Sequence, residues 1–282
     1  MTIAIFGNTQ KSRIREEIEH LLDFFQRRGV DVLLSQELRQ EFNLRDYPAF
    51  DDAKGEVEFA LSVGGDGTFL TTAAAIIDTN IPVLGINYGH LGFLAEVETK
   101  DVDNILDQLI AGRYTIEQRS LLHISGVDGN RQIDTDALNE VALMKSGLSS
   151  MLTIDTYVND ELLNTYEADG LVIATPTGST AYNMSVGGPI MIPQARGILL
   201  SPIASHSLHD RPIVVPDDWQ IDLRVKSRNR NYMLSVDGRS LVVTQEMKLH
   251  IEKSKKTVKL VQIGDRDFIR SLRDKLGWGS GK

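Results

Sequence analysis

Residues 59–77 have the sequence FALSVGGDGTFLTTAAAII, and this stretch decides the fold prediction. Phe59 to Val63 form a short, mainly apolar run that is typical of a buried strand, and Thr68 to Ile77 continue as a helix. Between them, the three glycines within Gly64 to Gly67 let the backbone approach a phosphate closely and direct N–H groups toward it. Ligands of open parallel sheets bind at the carboxyl ends of the strands. The stretch therefore predicts an α/β fold with an anion site at this turn.

The same alternation of strand and helix extends outward over residues 1–112. The strand-like runs are Ile3 to Phe6, Val32 to Leu34 and Val83 to Ile86. Two segments, Ile14 to Phe25 and Asp101 to Ala111, contain apolar residues at helical spacing. This alternation predicts a Rossmann-like α/β domain, in which helices cover a parallel sheet.

Beyond the first domain the pattern changes to short β-branched runs with a period of two. Turn signals such as Asn159-Asp160 and Asp237-Gly238 separate the runs. Residues 113–264 are therefore predicted to form a mostly antiparallel, all-β domain, arranged as a sandwich or a related stack. The segment 265–282 begins with a helical pattern from Asp265 to Leu276, and we expect this helix to pack back on the first domain.

The composition limits the classes of function. The 282-residue chain has a net charge of −9 with its basic residues scattered, which argues against nucleic-acid binding. Its apolar runs are far shorter than the roughly 20 residues of a membrane-spanning helix, and its first residues lack the basic segment of a secretory signal. We therefore expect a cytoplasmic protein that binds no membrane. With no cysteine, its chemistry must use oxygen and nitrogen groups.

Asp66 is the unusual member of the glycine turn. A carboxylate inside a phosphate-binding loop repels the ligand, so it needs a function of its own, such as accepting a proton from an attacking hydroxyl group or holding Mg²⁺. The alternative is that Asp66 is the N-cap of the helix in a tight turn. A second glycine loop, Asn87 to Leu94, follows another predicted strand and is suited to line the same crevice.

A second chemical signal is the loop that follows the apolar strand Leu171 to Ala174. The sequence from Asp169 to Tyr182 is DGLVIATPTGSTAY, and SVGGP follows at 185–189. Hydroxyl groups at this density offer neutral hydrogen-bond donors to phosphate and ribose oxygens, and Tyr182 adds a ring and a phenol. A serine- and threonine-rich turn between strands is the alternative interpretation.

The third signal is Asn139-Glu140, which interrupts the apolar run Ala137 to Leu143. Because a buried polar side chain needs a partner, at least one of the two is expected to face a cavity, where the pair could bind a ribose diol and an adenine edge. The alternative places Glu140 on a solvated face and Asn139 at a bulge. The histidines at positions 90, 206 and 209 lack the spacing of a metal site.

These motifs resemble those of the NAD kinase family, part of a wider group with the diacylglycerol and sphingosine kinases. The wider group shares the Gly-Gly-Asp-Gly-Thr loop, whereas the Asn-Glu pair and the Thr-Pro-Thr-Gly-Ser-Thr-Ala-Tyr block are peculiar to the NAD kinase branch. The likeness covers nearly the whole chain. The matching blocks, in the family's order and spacing, are Gly64 to Thr68, Gly85 to Phe93, Asn139-Glu140, Asp169 to Tyr182, Arg211 to Pro216 and Ser235 to Gly238.

The resemblance implies an enzyme that transfers the γ-phosphoryl group of ATP to the 2′-hydroxyl of the adenosine ribose of NAD, which yields NADP. It also implies that NAD binds between the α/β domain and the β domain of a homo-oligomer, commonly a tetramer. Mg²⁺, or another divalent metal, would arrive with ATP. Mg²⁺ keeps several waters and needs only one or two protein carboxylates, which fits a sequence without a dense acidic cluster.

The resemblance also assigns roles to single residues of the first domain. Asp66 would activate the 2′-hydroxyl group, and Phe93 would pack near the adenine. The residues of the phosphate loop would be Gly64, Gly65, Gly67 and Thr68.

In the second domain, the implied residues of the adenosine site are Asn139, Glu140, Thr177, Thr180 and Tyr182. Asp169 would reach the nicotinamide half of an NAD held mainly by a neighbouring subunit. His206, in a segment that looks like the family's Pro-His-Ser segment, would bind near NAD.

Two other functions compete with this one. A lipid or other small-alcohol kinase of the wider group would need an apolar acyl pocket, which cannot be located in the sequence. A catalytically silent NAD(P)-binding sensor would keep the fold without turnover, and the presence of Asp66 argues against it.

Overall fold

The structure is a computed structural model that describes residues 1–10, 14–87, 92–95, 97–98, 101–129, 131–147, 151–264 and 268–278. The chain divides into two compact units. The first unit comprises Met1–Gln118 and Val258–Lys282, and the second comprises Arg119–Thr257. The boundaries predicted after residues 112 and 264 differ from this division. The chain passes from one unit to the other at two points, and both points lie inside long strands. An uninterrupted strand has no turn residues that would mark a boundary in the sequence.

The first unit is a parallel sheet covered by helices. Its strands are β1 (Thr2–Gly7), β2 (Asp31–Leu34), β3 (Phe59–Val63), β4 (Val83–Asn87) and β5 (Val97–Glu98). They pair in the order β2-β1-β3-β4, with β5 beside the end of β4. Its first four helices are α1 (Ile14–Gln26), α2 (Gln36–Glu41), α3 (Asp66–Ile76) and α4 (Val102–Ile110). Short 3₁₀ turns occur at Phe50–Asp52 and Lys54–Glu56.

Burial in the first unit follows the period of the sequence. All five residues of β3 are buried, as expected for a strand with helices on both faces of its sheet. Helix α1 buries Ile14, Ile18, Leu21, Leu22, Phe24 and Phe25 on one face. Helix α3 begins two residues before the predicted start, because Gly65 is its N-cap. The predicted strand, glycine turn and helix are therefore present in order.

The second unit is made almost entirely of antiparallel strands. These are β6 (Thr115–Asp128), β7 (Arg131–Ala137), β8 (Glu140–Lys145), β9 (Leu152–Val158), β10 (Glu161–Ala168), β11 (Gly170–Ala174), β12 (Ile198–Ile203), β13 (Ile213–Val215), β14 (Ile221–Ser227), β15 (Asn231–Val236), β16 (Arg239–Thr244) and β17 (Lys248–Gln262), and β6 and β17 each begin or end in the first unit. One sheet has the order β13-β12-β11-β8-β15-β16. A second layer contains the run β10-β9-β14-β17. A short helix, α5 (Tyr182–Ser185), follows a 3₁₀ turn at Thr177–Thr180.

The two layers of the second unit pack face to face. Alternate residues of β9 are buried, and they meet apolar residues of the facing sheet, for example Ile154 of one layer and Leu143 of the other in one core cluster. The chain then returns to the first unit, where Leu260 of β17 pairs in parallel with Val83 and the last helix is α6 (Phe268–Leu276). The predicted fold class, a Rossmann-like α/β domain followed by a mostly antiparallel β domain, is confirmed. Among the described residues, no helix combines the length and apolarity that crossing a membrane requires.

Candidate active site

The glycine turn of the first unit connects the end of β3 to the start of α3. Gly64 has φ +155° and donates its N–H to the Ile86 carbonyl at 2.8 Å, so the turn is joined to the neighbouring strand. A Cβ atom on Gly64 would overlap the Thr68 side chain, and only glycine allows this close approach. Gly67 is exposed with open space beside it. The first N–H groups of the 11-residue helix α3 therefore lie next to the glycine turn, whose backbone a phosphate can approach closely.

Asp66 occupies the first turn of α3, and its carboxylate binds a distant loop. Oδ2 accepts the Phe93 N–H at 2.9 Å, and Oδ1 accepts the N–H groups of Leu94 and Ala95 at 3.1 Å each. A side chain on Gly92 would overlap this carboxylate. Because Gly65 is the N-cap, the alternative in which Asp66 caps the helix is wrong. An ionised carboxylate offers about four acceptor positions, so Oδ2 keeps capacity for one more donor.

A cavity of about 210 Å³ adjoins the glycine turn. It lies at the carboxyl ends of β1 and β3, where open parallel sheets bind ligands. Its lining consists of Gly7, Asn8, Gln10, Glu37, Gly67, Thr68 and Thr71. A larger cavity of about 460 Å³ is lined by Thr2 and Asp31, which stand at the amino ends of β1 and β2, and it contains none of the predicted site residues. The smaller cavity is therefore the candidate phosphate site.

Phe93 lies between the Asp66 carboxylate and the last helix of the first unit. Its ring centroid is 6.2 Å from that of Phe268, and Lys275 Nζ lies 4.0 Å from the same centroid, a distance typical of a cation–π contact. Part of the second glycine loop, residues 88–91, lies outside the described residues. The backbone N–H of Phe93 thus holds this residue next to the Asp66 carboxylate.

Asn139 and Glu140 lie at the start of β8 and are buried, with exposed fractions of 7% and 9%. Among the described residues, Asn139 Oδ1 and Glu140 Oε2 have no hydrogen-bond partner. The alternative that placed Glu140 on a solvated face is therefore wrong. A buried polar atom without a partner costs roughly 1–3 kcal/mol, which a ligand with matching donors would recover.

The hydroxyl-rich loop after β11 wraps around the backbone of this pair. Thr175 donates its N–H to the Asn139 carbonyl at 2.9 Å and its hydroxyl to the Leu138 carbonyl at 2.6 Å. The Gly178 N–H in turn donates to the Thr175 hydroxyl at 3.0 Å. The predicted site residues Thr177 and Thr180 are both buried in this 3₁₀ turn.

Tyr182 joins the same cluster through its backbone. Its N–H donates to the Glu140 carboxyl group, and its phenol lies 3.8 Å from Met144 Sδ. The structure therefore brings together Asn139, Glu140, Thr177, Thr180 and Tyr182 in the second unit.

Asn183 is a member of this loop that the sequence analysis missed. It is fully buried, and Nδ2 donates to the carbonyls of Ser179 and Pro189 at 3.3 and 3.0 Å. Its Oδ1 accepts the Ser201 hydroxyl at 2.6 Å. A side chain on Gly188 would overlap it. A single polar residue after Tyr182 gives no periodic signal, so its structural role was visible only through contacts.

Asp169 and His206 lie apart from that cluster. Asp169 precedes β11 and pairs with Lys145 at 2.7 Å. Since Ala174 pairs with Glu140 and Gly170 with Met144, Asp169 lies at the opposite end of the strand pair, about five residues or roughly 17 Å from Glu140. His206 is exposed and donates its backbone N–H to the Glu167 carbonyl at 3.0 Å.

Burial changes the acidity of Glu140. Desolvation, reinforced by the nearby negative charge of Asp237, raises the pKa of Glu140 from 4.5 to about 7, although the Tyr182 N–H opposes this shift. Near neutral pH the group therefore exists both as an acid that donates a hydrogen bond and as a carboxylate that accepts one.

We expect Glu140→Gln to stabilise the protein increasingly as the pH rises. A raised pKa in the folded state means that the favourable contribution of Glu140 is complete below pH 4.5 and is lost as the pH rises to about 7. The loss amounts to at most ~3 kcal/mol. Glutamine has no charge to bury, so urea unfolding at pH 5 to 8 should show a growing advantage for the variant, whereas exposed Glu161→Gln serves as the control. A difference that stays constant across this range would contradict the assignment.

A parallel α/β unit with a glycine turn at a strand end, together with an antiparallel unit that buries a cluster of polar residues, is the architecture of a class of nucleotide-binding enzymes. Residues 3–114 match the ATP-NAD kinase N-terminal domain, and residues 138–263 match the ATP-NAD kinase C-terminal domain. The chain belongs to the NAD kinase family. The predicted resemblance to this family is confirmed, and the link to the lipid kinases stays a prediction.

Bacterial relatives match the chain from end to end. An NAD kinase of Bacteroides fragilis is 39% identical and covers 99% of both chains, and one of Flavobacterium johnsoniae is 38% identical over 100% of this chain and 99% of its own. Among solved structures, yeast NADH kinase complexed with NADH superposes with a TM-score of 0.89 at 25% identity, covering 100% of this chain and 89% of that chain. An Archaeoglobus fulgidus NAD kinase in complex with ATP has a TM-score of 0.77 at 23% identity, covers 98% of this chain and 99% of its own, and supports the fold.

Proposed function

We propose that the protein transfers the γ-phosphoryl group of ATP to the 2′-hydroxyl of the adenosine ribose of NAD and so forms NADP. The observation that carries this proposal is a pair of buried oxygens on Asn139 and Glu140 that find no partner in the described part of the chain, in a protein that also has the glycine loop of the family. NAD and ATP are the substrates that the family membership supports. Both are available in the cytoplasm, where we propose that the enzyme acts.

The phosphate groups of ATP are proposed to bind at the loop formed by Gly64, Gly65, Gly67 and Thr68. Backbone N–H groups and the positive end of the α3 dipole would stabilise the negative charge there. The lining of the adjoining cavity offers oxygen atoms of Asn8, Glu37 and Thr68, which is the ligand type that Mg²⁺ prefers. These residues fit a divalent ion carried by ATP, which would neutralise charge on the phosphates.

Asp66 is proposed to hold the reacting hydroxyl group. The remaining acceptor position of Oδ2 can take a hydrogen bond from the 2′-hydroxyl and then its proton. Phosphoryl transfer has a loose transition state, so positioning contributes more than early deprotonation. The three N–H groups on the carboxylate hold it in one orientation, which suits a positioning role.

The adenosine part of NAD is proposed to bind at the Asn139 and Glu140 cluster, with the buried hydroxyl groups of Thr177 and Thr180 and the Tyr182 ring beside it. The mixed protonation of Glu140 near pH 7 lets it serve either a donor or an acceptor on the ligand. Phe93 and His206 are proposed to contact NAD as well.

We propose that the enzyme acts as a homo-oligomer. The family resemblance implies that this oligomer is a tetramer. The support for this proposal is the family resemblance, and the length of β11 between Asp169 and Glu140 assigns the two residues to different parts of the dinucleotide. Asp169 would then act on an NAD bound mainly by a neighbouring subunit.

The test is an incubation of the purified protein with ATP, Mg²⁺ and NAD over a series of protein concentrations, with NADP and molecular mass measured in parallel. NADP should form, and specific activity should fall when dilution yields monomers. No NADP above an enzyme-free control would exclude the function, and fully active monomers would exclude the oligomeric role of Asp169. Phosphorylation of diacylglycerol instead of NAD would favour the lipid kinase, and NAD binding without turnover would favour the sensor.

A further inference from the structure

The Ser235 to Gly238 block has no role in the proposed reaction, yet its aspartate is partly buried. Val236 pairs with Arg239, so Asp237 and Gly238 form the two-residue turn of the β15–β16 hairpin. Their φ angles are +48° and +78°, as type I′ turns require. An aspartate is common in such turns, but here its side chain leaves the turn and binds the backbone of residues 138–140.

The Asp237 carboxylate binds three successive backbone N–H groups at the start of β8. Oδ2 accepts from Leu138 at 2.7 Å, and Oδ1 accepts from Asn139 and Glu140 at 2.8 and 3.1 Å. The Asp237 N–H completes the contact by donating to the Glu140 carbonyl at 3.0 Å. Four hydrogen bonds therefore join the hairpin turn to a segment about a hundred residues earlier in the chain.

The opposite side of the same segment is held by Thr175, which binds the carbonyls of Leu138 and Asn139. The backbone of residues 138–140 thus has its donors bound by Asp237 and its carbonyls bound by Thr175 and the Asp237 N–H. Within this segment, the buried side-chain atoms Asn139 Oδ1 and Glu140 Oε2 have no hydrogen-bond partner among the described residues. This is the arrangement expected of a binding segment that is ordered before its ligand arrives.

We propose that Asp237 is the positioning residue of the adenosine site, which it orders by fixing the backbone of Leu138, Asn139 and Glu140. The identity of the ligand as NAD rests on the proposed function. An ordered site loses less conformational entropy on binding, so Asp237 contributes to affinity without touching the ligand.

Charge gives Asp237 a second effect on the same site. The groups that face Glu140 are the Asp237 carboxylate and the Tyr182 N–H, and Arg239 acts on Asp237 from the other side of the turn. Burial raises the pKa of Asp237, while its three N–H donors and Arg239 lower it. Since the charge of Asp237 helps to raise the pKa of Glu140, removing this charge shifts the Glu140 titration to lower pH.

Asp237→Asn tests the proposal in the complete enzyme. The asparagine oxygen can keep the two hydrogen bonds that Oδ1 accepts from Asn139 and Glu140. The amide NH2 group then replaces Oδ2 and faces the Leu138 N–H, so one hydrogen bond is replaced by two opposed donors. We expect the KM for NAD to rise about tenfold to hundredfold, with a smaller change in kcat and an unchanged KM for ATP. The acid limb of kcat/KM for NAD should move to lower pH. Asp160→Asn, in the exposed turn between β9 and β10, is the matched control and should leave all four values as in the wild type.

Amide hydrogen exchange on the wild type covers the case in which Asp237→Asn does not fold. The amides of residues 138–140 should be protected before NAD is added and gain little protection afterwards. Free exchange in the absence of NAD would overturn the proposal, as would a folded Asp237→Asn enzyme with a wild-type KM for NAD and pH profile. A wild type that forms no NADP would refute the proposed function alone, because the exchange experiment does not depend on turnover.

Discussion

Asp66→Asn is expected to lower kcat by about 10²–10³-fold while the KM for NAD changes little. General-base assistance typically contributes about 10²–10⁴-fold, and a loose transition state places the effect in the lower part of that range. Asparagine can still form a hydrogen bond with the 2′-hydroxyl group, because the amide nitrogen in place of Oδ2 can donate to the hydroxyl oxygen, but it cannot take the proton. The loss should therefore appear in turnover rather than in substrate binding.

The structure adds a second consequence of Asp66→Asn, because the carboxylate also anchors the backbone of Phe93, Leu94 and Ala95. The amide group of asparagine cannot accept from the Phe93 N–H, so one hydrogen bond is lost and two donors face each other. We expect the free energy of unfolding to fall by about 1–3 kcal/mol. Asp66→Asn therefore lowers the stability of the protein as well as removing the charge.

Gly92→Ala separates the two roles of Asp66. An alanine Cβ would overlap Asp66 Oδ1, so the loop or the carboxylate must shift, but residue 66 keeps a carboxylate that can take a proton. Steady-state kinetics and urea unfolding of both variants should show similar losses of stability, with a much larger loss of kcat in Asp66→Asn. Equal kcat values in the two variants would mean that Asp66 only anchors the loop.

Gly178→Ala should abolish measurable NAD binding and lower the free energy of unfolding by about 1–3 kcal/mol. A Cβ atom at this position would overlap the Asn139 carbonyl and lie 2.7 Å from the Asn139 Cα. These are backbone atoms that Thr175 and Asp237 hold from two sides, so they cannot move without breaking the site.

Calorimetry of NAD binding and urea unfolding would measure both effects of Gly178→Ala. Gly55→Ala is the control, because no atom of the residues that the structure describes lies within 4 Å of the added Cβ and the φ angle of Gly55 is not positive. ATP-phosphate binding by the first unit should persist in the variant. Normal NAD affinity in a folded Gly178→Ala protein would show that the hydroxyl-rich loop does not shape the adenosine site.

Local patterns in the sequence were sufficient for the order of elements and for the position of the glycine turn. The apolar run of β3, the glycines after it and the helical spacing of α1 and α4 are properties of neighbouring residues, and backbone sterics and periodic burial act over the same short range. The change to a period of two identified the β unit for the same reason. The division of the chain inside β6 and β17 was not predictable, because an uninterrupted strand carries no boundary signal.

Only the tertiary structure decided what the acidic residues bind. Asp66 meets Phe93 to Ala95, and Asp237 meets Leu138 to Glu140 from nearly a hundred residues away, through hydrogen bonds that depend on chain folding and leave no period in the sequence. The sequence by itself determined that Asn139 and Glu140 interrupt an apolar run and need partners. Their burial with oxygens that have no partner in the described ranges, and the raised pKa of Glu140, were decided by packing, since desolvation and the field of Asp237 exist only in the folded protein.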